Sequence, residues 1–267
     1  MKPTVNAPFK CILCGSRGPF SSVEHIVPES MGNDLLVLGR GWVCDTCNNI
    51  CSAFESEVSL KSILGLERCR LGVITKKGKA ARAETEGISW FALPNAKENR
   101  VAAEADWGVI PVLWGKHYSS GRVPFLLHDD SCVNISRLLL KIGVEIASVG
   151  KLGGNLDLQR DFGQATSFVL GRCTNPWPYF VLRAESYKSH VISVFFTTPD
   201  SRDYLRSCGF DVYLHAVDKE AILFFEYGHF HSAISLTSRS TGWLEVLRTW
   251  GVPYVGCPLE FESLSSA

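Results

Sequence analysis

The first 50 residues of the chain contain three short motifs, CILC at residues 11–14, SSVEHIVPESMG at residues 21–32 and VCDTCNN at residues 43–49. In each outer motif, two cysteines are separated by two residues. Two thiolates at this spacing can reach one tetrahedral Zn²⁺ ion, and a second pair further along the chain completes a four-sulfur site. The sequence therefore predicts a zinc site whose ligands are Cys11, Cys14, Cys44 and Cys47.

Two other interpretations of these cysteines are scattered buried thiols and a redox motif. A redox site uses one such pair beside a βαβ pattern and does not need a second pair. Because four thiolates leave no coordination position open, the predicted ion is structural. The six remaining cysteines show no disulfide spacing, which is typical of a protein in a reducing cytoplasm.

A carboxylate and an imidazole, Glu24 and His25, are adjacent between the two cysteine pairs. Neutral histidine can take a proton from water near pH 7, and a carboxylate is a suitable ligand for Mg²⁺ or Mn²⁺. Adjacent side chains on a strand point to opposite faces, so a turn or bulge is needed to bring both into one cleft. Alternatively, His25 is a structural metal ligand or a buried core imidazole.

A helix is predicted directly after the second cysteine pair. The apolar residues Ile50, Phe54 and Val58 recur at four-residue spacing. Asp45 is the predicted N-cap, and Gly65 is the predicted end of the helix. Asn48 then lies in the first turn, where the helix N-terminus favours a phosphate. Two acids further along, Glu55 and Glu57, are expected on the solvent face.

The order CxxC, acid-His-Ile-x-Pro, glycine-containing loop and CxxCN resembles the HNH endonucleases of the ββα-metal (His-Me finger) fold, in the form stabilised by a four-cysteine zinc. The resemblance covers residues 11–56. It implies that His25 is the general base and that Glu24 and Asn48 bind a catalytic Mg²⁺ or Mn²⁺. Many members carry a further Asn before the second cysteine pair, and Asn33 is the nearest candidate here. The implied activity is hydrolysis of phosphodiester bonds in DNA, and a role in bacterial defence fits it.

A run of six basic residues without an acid follows the predicted helix. Residues 76–79, KKGK, are predicted to form the tip of a hairpin that could lie on a phosphate backbone. An ordinary solvated hairpin is the alternative. The predicted nucleic-acid contacts are Arg68, Arg70, Lys76, Lys77, Lys79 and Arg82.

The second half of the chain predicts helices followed by strands. An apolar stripe predicts a helix over residues 135–149, with Asn134 as cap and the glycines at 150, 153 and 154 as its end. A shorter helix over residues 158–170 is predicted to be capped by Asp157. Aromatic and β-branched runs predict strands at residues 179–184, 190–198, 210–217, 221–227 and 231–236, with Asp218-Lys219 at the tip of a tight hairpin.

The predicted fold class is therefore α+β. A small zinc-stabilised ββα-metal (HNH) module is expected over residues 1–66, and a basic hairpin and linker over residues 67–105. A larger α+β domain with a mainly antiparallel sheet and an unknown recognition or regulatory role is expected over residues 106–267.

Composition limits the possible functions. The chain has 267 residues, 46% of them hydrophobic, and 27 basic residues balance 27 acidic ones. A broad basic face for DNA would give a positive net charge, so we expect modest DNA affinity and help from a partner protein or activating subunit. The start of the chain lacks an apolar signal segment, and no long uncharged apolar stretch follows. The expected location is the cytoplasm, without membrane contact.

Two functional hypotheses remain. The first is a metal-dependent endonuclease in which His25 activates water. The second is a non-catalytic zinc module that binds nucleic acid or a partner protein, with Glu24 and His25 in structural roles.

Overall fold

The computed structural model describes residues 7–85, 87–92, 101–105, 129–149, 158–182, 209–252 and 254–256. The helices in these ranges are α1 (Asp45–Lys61), α2 (Ile63–Arg70), α3 (Asp129–Val149), α4 (Leu158–Asp161), α5 (Gly163–Val169) and α6 (Trp243–Thr249). The strands are β1 (Glu24–His25), β2 (Val37–Leu38), β3 (Arg82–Thr85), β4 (Ile88–Ala92), β5 (Val101–Ala105), β6 (Tyr179–Leu182), β7 (Phe210–Val217), β8 (Glu220–Tyr227), β9 (Phe230–Ser235) and β10 (Tyr254–Gly256).

The N-terminal part is a short hairpin followed by a helix. β1 and β2 pair antiparallel, with Glu24 opposite Leu38 and His25 opposite Val37. A 3-10 turn, Glu29–Met31, lies in the connection between the strands. α1 begins directly after Cys44, the first cysteine of the second pair. The chain order in this part is therefore strand, strand, helix.

The larger sheet has five strands in the order β10-β6-β9-β8-β7, and all of its pairings are antiparallel. A separate sheet contains β3, β4 and β5. Asp218 and Lys219 connect β7 and β8 and both have positive φ, at 46° and 68°. This backbone matches the twist of a two-residue hairpin. The prediction of an α+β protein with an antiparallel sheet is therefore confirmed, as is the predicted hairpin tip.

The helix ends after the second cysteine pair differ from the prediction. Cys44, rather than Asp45, is the N-cap of α1. The helix is interrupted at Ser62, whose hydroxyl accepts a hydrogen bond from Leu64 N, and α2 then continues through Gly65. The prediction of Asp45 as cap is wrong, because Asp45 is the first residue of α1 and its carboxylate accepts from Ser21 and Ser22. The prediction of Gly65 as end is wrong, because Ser62 supplies a new cap before the glycine is reached.

The helices of the second half also differ in their bounds. α3 begins at Asp129, so the prediction of Asn134 as its cap is wrong. The predicted helix over residues 158–170 is divided at Phe162 into α4 and α5. Asp157, the glycines at 150, 153 and 154, and the strand at 190–198 lie outside the described residues. The apolar stripe of α3 is confirmed, because its described members are buried from Ile135 to Ile146.

One buried hydrophobic cluster joins the two halves of the chain. It contains Val27 and Phe54 from the N-terminal part, Leu138 and Ile142 from α3, and Phe225 from the large sheet. α2 spans the predicted boundary at residue 66. The division into three segments stays a prediction. Among the described residues, no helix has both the length and the apolarity that a membrane crossing requires.

Gly65 is required by close packing between α2 and the end of α1. A Cβ at this position would lie 2.8 Å from Ser59 O and 3.2 Å from Ala83 Cβ. We expect Gly65→Ala to lower the free energy of unfolding by about 1–3 kcal/mol, because backbone atoms must move to admit the methyl group. Urea unfolding would measure this change. Gly39→Ala is the control, since a Cβ there meets nothing within 4 Å, and an equal loss in both variants would contradict the packing argument.

Candidate zinc and histidine site

Four cysteines converge at the start of α1. Their Sγ atoms, from Cys11, Cys14, Cys44 and Cys47, all lie within 4.8 Å of one another. Cys14 Sγ and Cys44 Sγ are 3.7 Å apart. In a tetrahedron with Zn–S bonds of about 2.3 Å, neighbouring sulfurs are about 3.8 Å apart. The four residues can therefore hold a metal ion such as zinc, and their spacing is suited to a closed tetrahedral site.

Interactions among these thiols favour the charged form of Cys11 and the protonated form of Cys47. The hydrogen bond from Cys47 is the main cause that lowers the pKa of Cys11 to about 4. The same bond and burial raise the pKa of Cys47. The Cys44 N–H also points at Cys11 Sγ, at 3.4 Å. Since the thiolate is the metal ligand, this environment suits a divalent ion that displaces the remaining protons.

Loss of one sulfur should remove the ion and unfold the N-terminal part. We expect wild-type protein to contain about one zinc per chain and Cys44→Ser to contain little, because a structural site needs all four ligands. Metal analysis and circular dichroism would measure both effects. Cys173→Ser is the control, because Cys173 is not in the cluster. A well-folded Cys44→Ser protein without zinc would contradict a structural role for the ion.

The imidazole of His25 is oriented by a backbone carbonyl. His25 Nδ1 lies 3.3 Å from Asn33 O. A carbonyl can only accept, so this hydrogen bond requires the proton on Nδ1 and leaves Nε2 of a neutral ring with a lone pair. The side chain is 22% exposed. The imidazole is therefore partly exposed, and the lone pair of the neutral ring is on Nε2.

The side chain of Asn33 fixes the loop that supplies this carbonyl. The residue is fully buried. Its amide donates to Val27 O at 2.6 Å and Leu36 O at 3.0 Å, and its Oδ1 accepts from the N–H groups of Leu35 and Leu36. These four bonds close the connection between β1 and β2. Asn33 thus holds the loop between β1 and β2 in place.

Removal of this amide should destabilise the loop around His25. We expect Asn33→Ala to lower the free energy of unfolding by about 2–4 kcal/mol, because buried backbone groups lose their partners. Asn49→Ala, at an exposed position of α1, is the control and should change stability by less than about 0.5 kcal/mol. Chemical denaturation would compare the two variants. Similar stabilities would show that the loop does not depend on the Asn33 side chain.

A carboxylate that the sequence did not indicate lies beside the imidazole. Glu29 Oε2 is 3.3 Å from His25 Nε2. The same oxygen forms an ion pair with Lys76 Nζ. Lys76 belongs to a turn closed by hydrogen bonds between Thr75 and both Gly78 and Lys79, so the predicted hairpin tip is confirmed. The turn of residues 75–79, called the basic turn below, therefore lies next to His25.

The six basic residues predicted to contact nucleic acid fall into two groups. Arg68 is buried, and its guanidinium donates to Arg82 O at 3.1 Å. Arg70 is half-buried and pairs with Glu67 at 2.6 Å. Both side chains therefore have internal partners. The exposed members are Lys76, Lys77, Lys79 and Arg82.

Glu24 points to the opposite side of β1 from His25. Its side chain is buried, and its Oε1 lies 2.5 Å from the ammonium nitrogen of Lys141 on α3. Its Oε2 is also buried and has no hydrogen-bond partner among the described residues. A divalent ion at Glu24 would therefore lie beside the ammonium that already pairs with Oε1, and the like charge disfavours it.

Asn48 holds the start of α1 against the segment before β1. Its amide donates to Ser22 Oγ at 2.7 Å and to Val23 O at 3.3 Å. The Asp45 carboxylate accepts from the hydroxyl and backbone N–H groups of Ser21 and Ser22. Glu24 and Asn48 thus contact different groups. Among the described residues, only the four cysteines form a group of three or more His, Cys, Asp or Glu ligands within 4.8 Å.

The buried charges around Lys141 affect one another strongly. Burial alone would lower the pKa of Lys141, but the carboxylates of Glu145, Glu55 and Glu24 outweigh it, and this pKa is raised well above its usual range. Burial is the main cause that raises the pKa of Glu24, and it raises that of Glu145 well above its usual range. These pKa directions favour a charged Lys141 ammonium and oppose ionisation of Glu24 and Glu145.

The sequence prediction missed Lys141, Glu145 and the role of Glu55. The expectation that Glu55 faces solvent is wrong, because its Oε1 lies 2.7 Å from Lys141 Nζ, whereas Glu57 is exposed as expected. The sequence of α3 contains a pattern that indicates this buried charge cluster. Lys141 and Glu145 are four residues apart within an apolar stripe, and charged residues at such positions require buried partners.

Comparison of the chain with family models, curated proteins and solved structures finds no match. The resemblance to HNH endonucleases therefore rests on the motifs within residues 11–56. The structure adds the chain order β1, β2, α1 and the convergence of the four cysteines beside that hairpin.

Proposed function

We propose that the chain is a zinc-stabilised endonuclease that hydrolyses phosphodiester bonds in DNA, with His25 as general base. The observation that carries this proposal is the orientation of the imidazole. Its Nδ1 faces Asn33 O, and its Nε2 lies 3.3 Å from Glu29 Oε2, the oxygen that pairs with Lys76 of the basic turn. A histidine with structural roles only would need neither the loop clamp nor the neighbouring cations.

The proton transfer can be followed atom by atom. Nε2 of His25 takes a proton from water while the water oxygen bonds to phosphorus and the leaving oxygen departs with its electron pair. The imidazolium that forms is stabilised at both nitrogens, by Asn33 O at Nδ1 and by Glu29 Oε2 at Nε2. Solvent then protonates the leaving oxygen. Glu29 is thus a positioning and charge-stabilising neighbour of the base.

The basic turn supplies charge for the phosphate backbone. Lys77 and Lys79 are exposed, and Lys76 joins the turn to Glu29 beside the base. A flexible ammonium can contact a phosphate without reading sequence, so we infer cleavage with little sequence preference. Action in bacterial defence and dependence on an activating subunit stay predictions.

The resemblance also implies a catalytic Mg²⁺ or Mn²⁺ ion, which when bound would polarise the phosphate and stabilise the leaving oxygen. Glu24 does not fit as a ligand of that ion here, because its Oε1 is paired with Lys141 and a divalent ion would meet the like charge of that ammonium. The proposal therefore depends on His25 and the basic turn. The buried pairing of Glu24 is also the observation that favours the second candidate function, a non-catalytic zinc module that binds nucleic acid or a partner protein.

His25→Ala separates the two functions. Loss of a general base typically lowers the rate by on the order of 10² to 10⁴. We expect a variant that folds, keeps zinc, binds DNA and cleaves it slowly or not at all. Plasmid nicking in Mg²⁺ or Mn²⁺ and a DNA-binding titration would measure both properties. The control is His229→Ala, which changes an exposed imidazole in the turn between β8 and β9 and should cleave at the wild-type rate.

Three results would contradict the endonuclease. The first is cleavage by His25→Ala at the rate of the His229→Ala control. The second is loss of zinc from His25→Ala, which would make this imidazole a structural ligand. The third is wild-type protein that binds DNA yet cleaves neither plasmid nor single strands with any divalent ion, which would favour the non-catalytic module.

The basic turn should act through phosphates. We expect Lys77→Gln/Lys79→Gln to reduce the slope of log affinity against log salt by about 0.9 for each phosphate of duplex DNA that is no longer neutralised, equally for different sequences. This pair is chosen because it leaves the ion pair between Lys76 and Glu29 intact. Lys61→Gln/Lys219→Gln, which removes two exposed lysines elsewhere, is the matched control. Equal slopes for the two variants would show that the turn does not contact DNA.

A further inference from the structure

The ammonium of Lys141 is enclosed by oxygen atoms below β1. The Lys141 side chain is fully buried. Its Nζ lies within 3.5 Å of five oxygens: Glu24 Oε1 at 2.5 Å, Glu55 Oε1 at 2.7 Å, Glu145 Oε2 at 3.5 Å, His25 O at 2.6 Å and Ile26 O at 3.3 Å. Lys141, Glu24, Glu55 and Glu145 are called the Lys141 cluster below.

The surroundings of Nζ are those of a cation site. Three carboxyl groups and two backbone carbonyls supply only acceptor oxygens, and such oxygens are also what hard metal cations bind. The oxygens come from separate elements, with Glu24 on β1, Glu55 on α1 and Glu145 on α3. A compact ammonium has three donors for these five oxygens, and both oxygens of Glu145 have no hydrogen-bond partner among the described residues. The cluster is therefore built around one central positive charge.

We propose that Lys141 is the resident cation of this cluster and takes the place at Glu24 that a divalent ion would otherwise occupy. Glu24 is then a counter-ion of Lys141 on α3 and does not bind metal. The inference deepens the proposed function, and it rests on that function only where it names His25 as the base.

The positions of the carboxylates argue against a second cation beside the ammonium. The three acids of the cluster do not bring ligand atoms within 4.8 Å of one another, whereas the four cysteines do. Each of the three acids has one oxygen within 3.5 Å of Nζ. A divalent ion at Glu24 would also meet the like charge of Lys141 within a few ångströms, in a buried environment that screens charge poorly. Metal could bind at Glu24 only if the Lys141 side chain moved away or were replaced.

The same ammonium fixes the backbone of the proposed base. Lys141 Nζ donates to His25 O at 2.6 Å and to Ile26 O. The first of these carbonyls belongs to the residue that carries the imidazole, and the second follows it directly. α3, which lies outside the segment that resembles HNH endonucleases, therefore positions the end of β1. Lys141 is a positioning residue for His25 through this contact.

Binding of Mn²⁺ to the zinc-loaded full chain, without DNA, tests the proposal. Electron paramagnetic resonance would compare wild type, Glu24→Gln, Lys141→Met and Lys141→Met/Glu24→Gln. We expect wild type and Glu24→Gln to bind Mn²⁺ equally. Lys141→Met should bind about tenfold tighter or more, and the added Glu24→Gln change should cancel that gain. Lys61→Met is the control, because Lys61 also pairs with an acid four residues away, but at the surface, and it should match wild type.

Two results would overturn the proposal. One is wild-type binding of Mn²⁺ that Glu24→Gln weakens, since Glu24 would then hold metal despite Lys141. The other is a folded Lys141→Met protein, with full zinc content, that gains no Glu24-dependent site. If Lys141→Met does not fold, Lys141→Met/Glu145→Gln replaces it because it removes one acid with the lysine. If neither folds, the comparison of wild type with Glu24→Gln decides.

This experiment is independent of nuclease activity. A protein that shows the expected Mn²⁺ pattern but cleaves no DNA would reject the endonuclease and retain the role of Lys141. A protein that cleaves DNA and binds Mn²⁺ through Glu24 would retain the endonuclease and reject the role of Lys141.

Discussion

The convergence of four sulfurs at the start of α1 is the constraint on which the N-terminal part depends. β1 and β2 have two residues each, and a hairpin of that length is not stable by itself in water. The cysteines join the loop before β1 to the first turn of α1. Asp45 and Asn48 then bind the serines just before β1. The hairpin is thus held between a metal-competent cluster and a helix.

A second constraint acts from the opposite side of the hairpin. Lys141 can be buried only because Glu24, Glu55 and Glu145 surround it, since an unpaired buried charge is very costly. Removal of Lys141 would leave buried carboxylates without a cation, and removal of the carboxylates would leave a buried ammonium without an anion. The N-terminal part and α3 are therefore interdependent. The shared hydrophobic cluster has the same effect. The segment that resembles an HNH module is therefore packed as one part of a larger core.

Local patterns predicted much of this arrangement, for identifiable reasons. The cysteine spacing, the stripe of α3 and the Asp218-Lys219 hairpin depend on neighbouring residues, so their chemistry is visible in the sequence. Helix ends were predicted less well, because Ser62 competes with Gly65 as a boundary. The pairing of Glu24 with Lys141 spans distant parts of the chain, and no local pattern reports which buried acid meets which buried base. Glu29 is only four residues from His25, but their contact depends on the 3-10 turn at Glu29–Met31, which was not predicted from the sequence.

The residues that position His25 come from near and distant parts of the sequence. Asn33, in the same loop, orients the imidazole, and Lys76, in the turn after α2, holds the acid at its other nitrogen. Lys141, on α3, holds the backbone carbonyl. Motif residues thus supply the imidazole, while residues outside the motif contribute to its position and to the charges around it. A histidine fixed from three directions is preorganised for one orientation, which is what a general base requires and a surface imidazole does not.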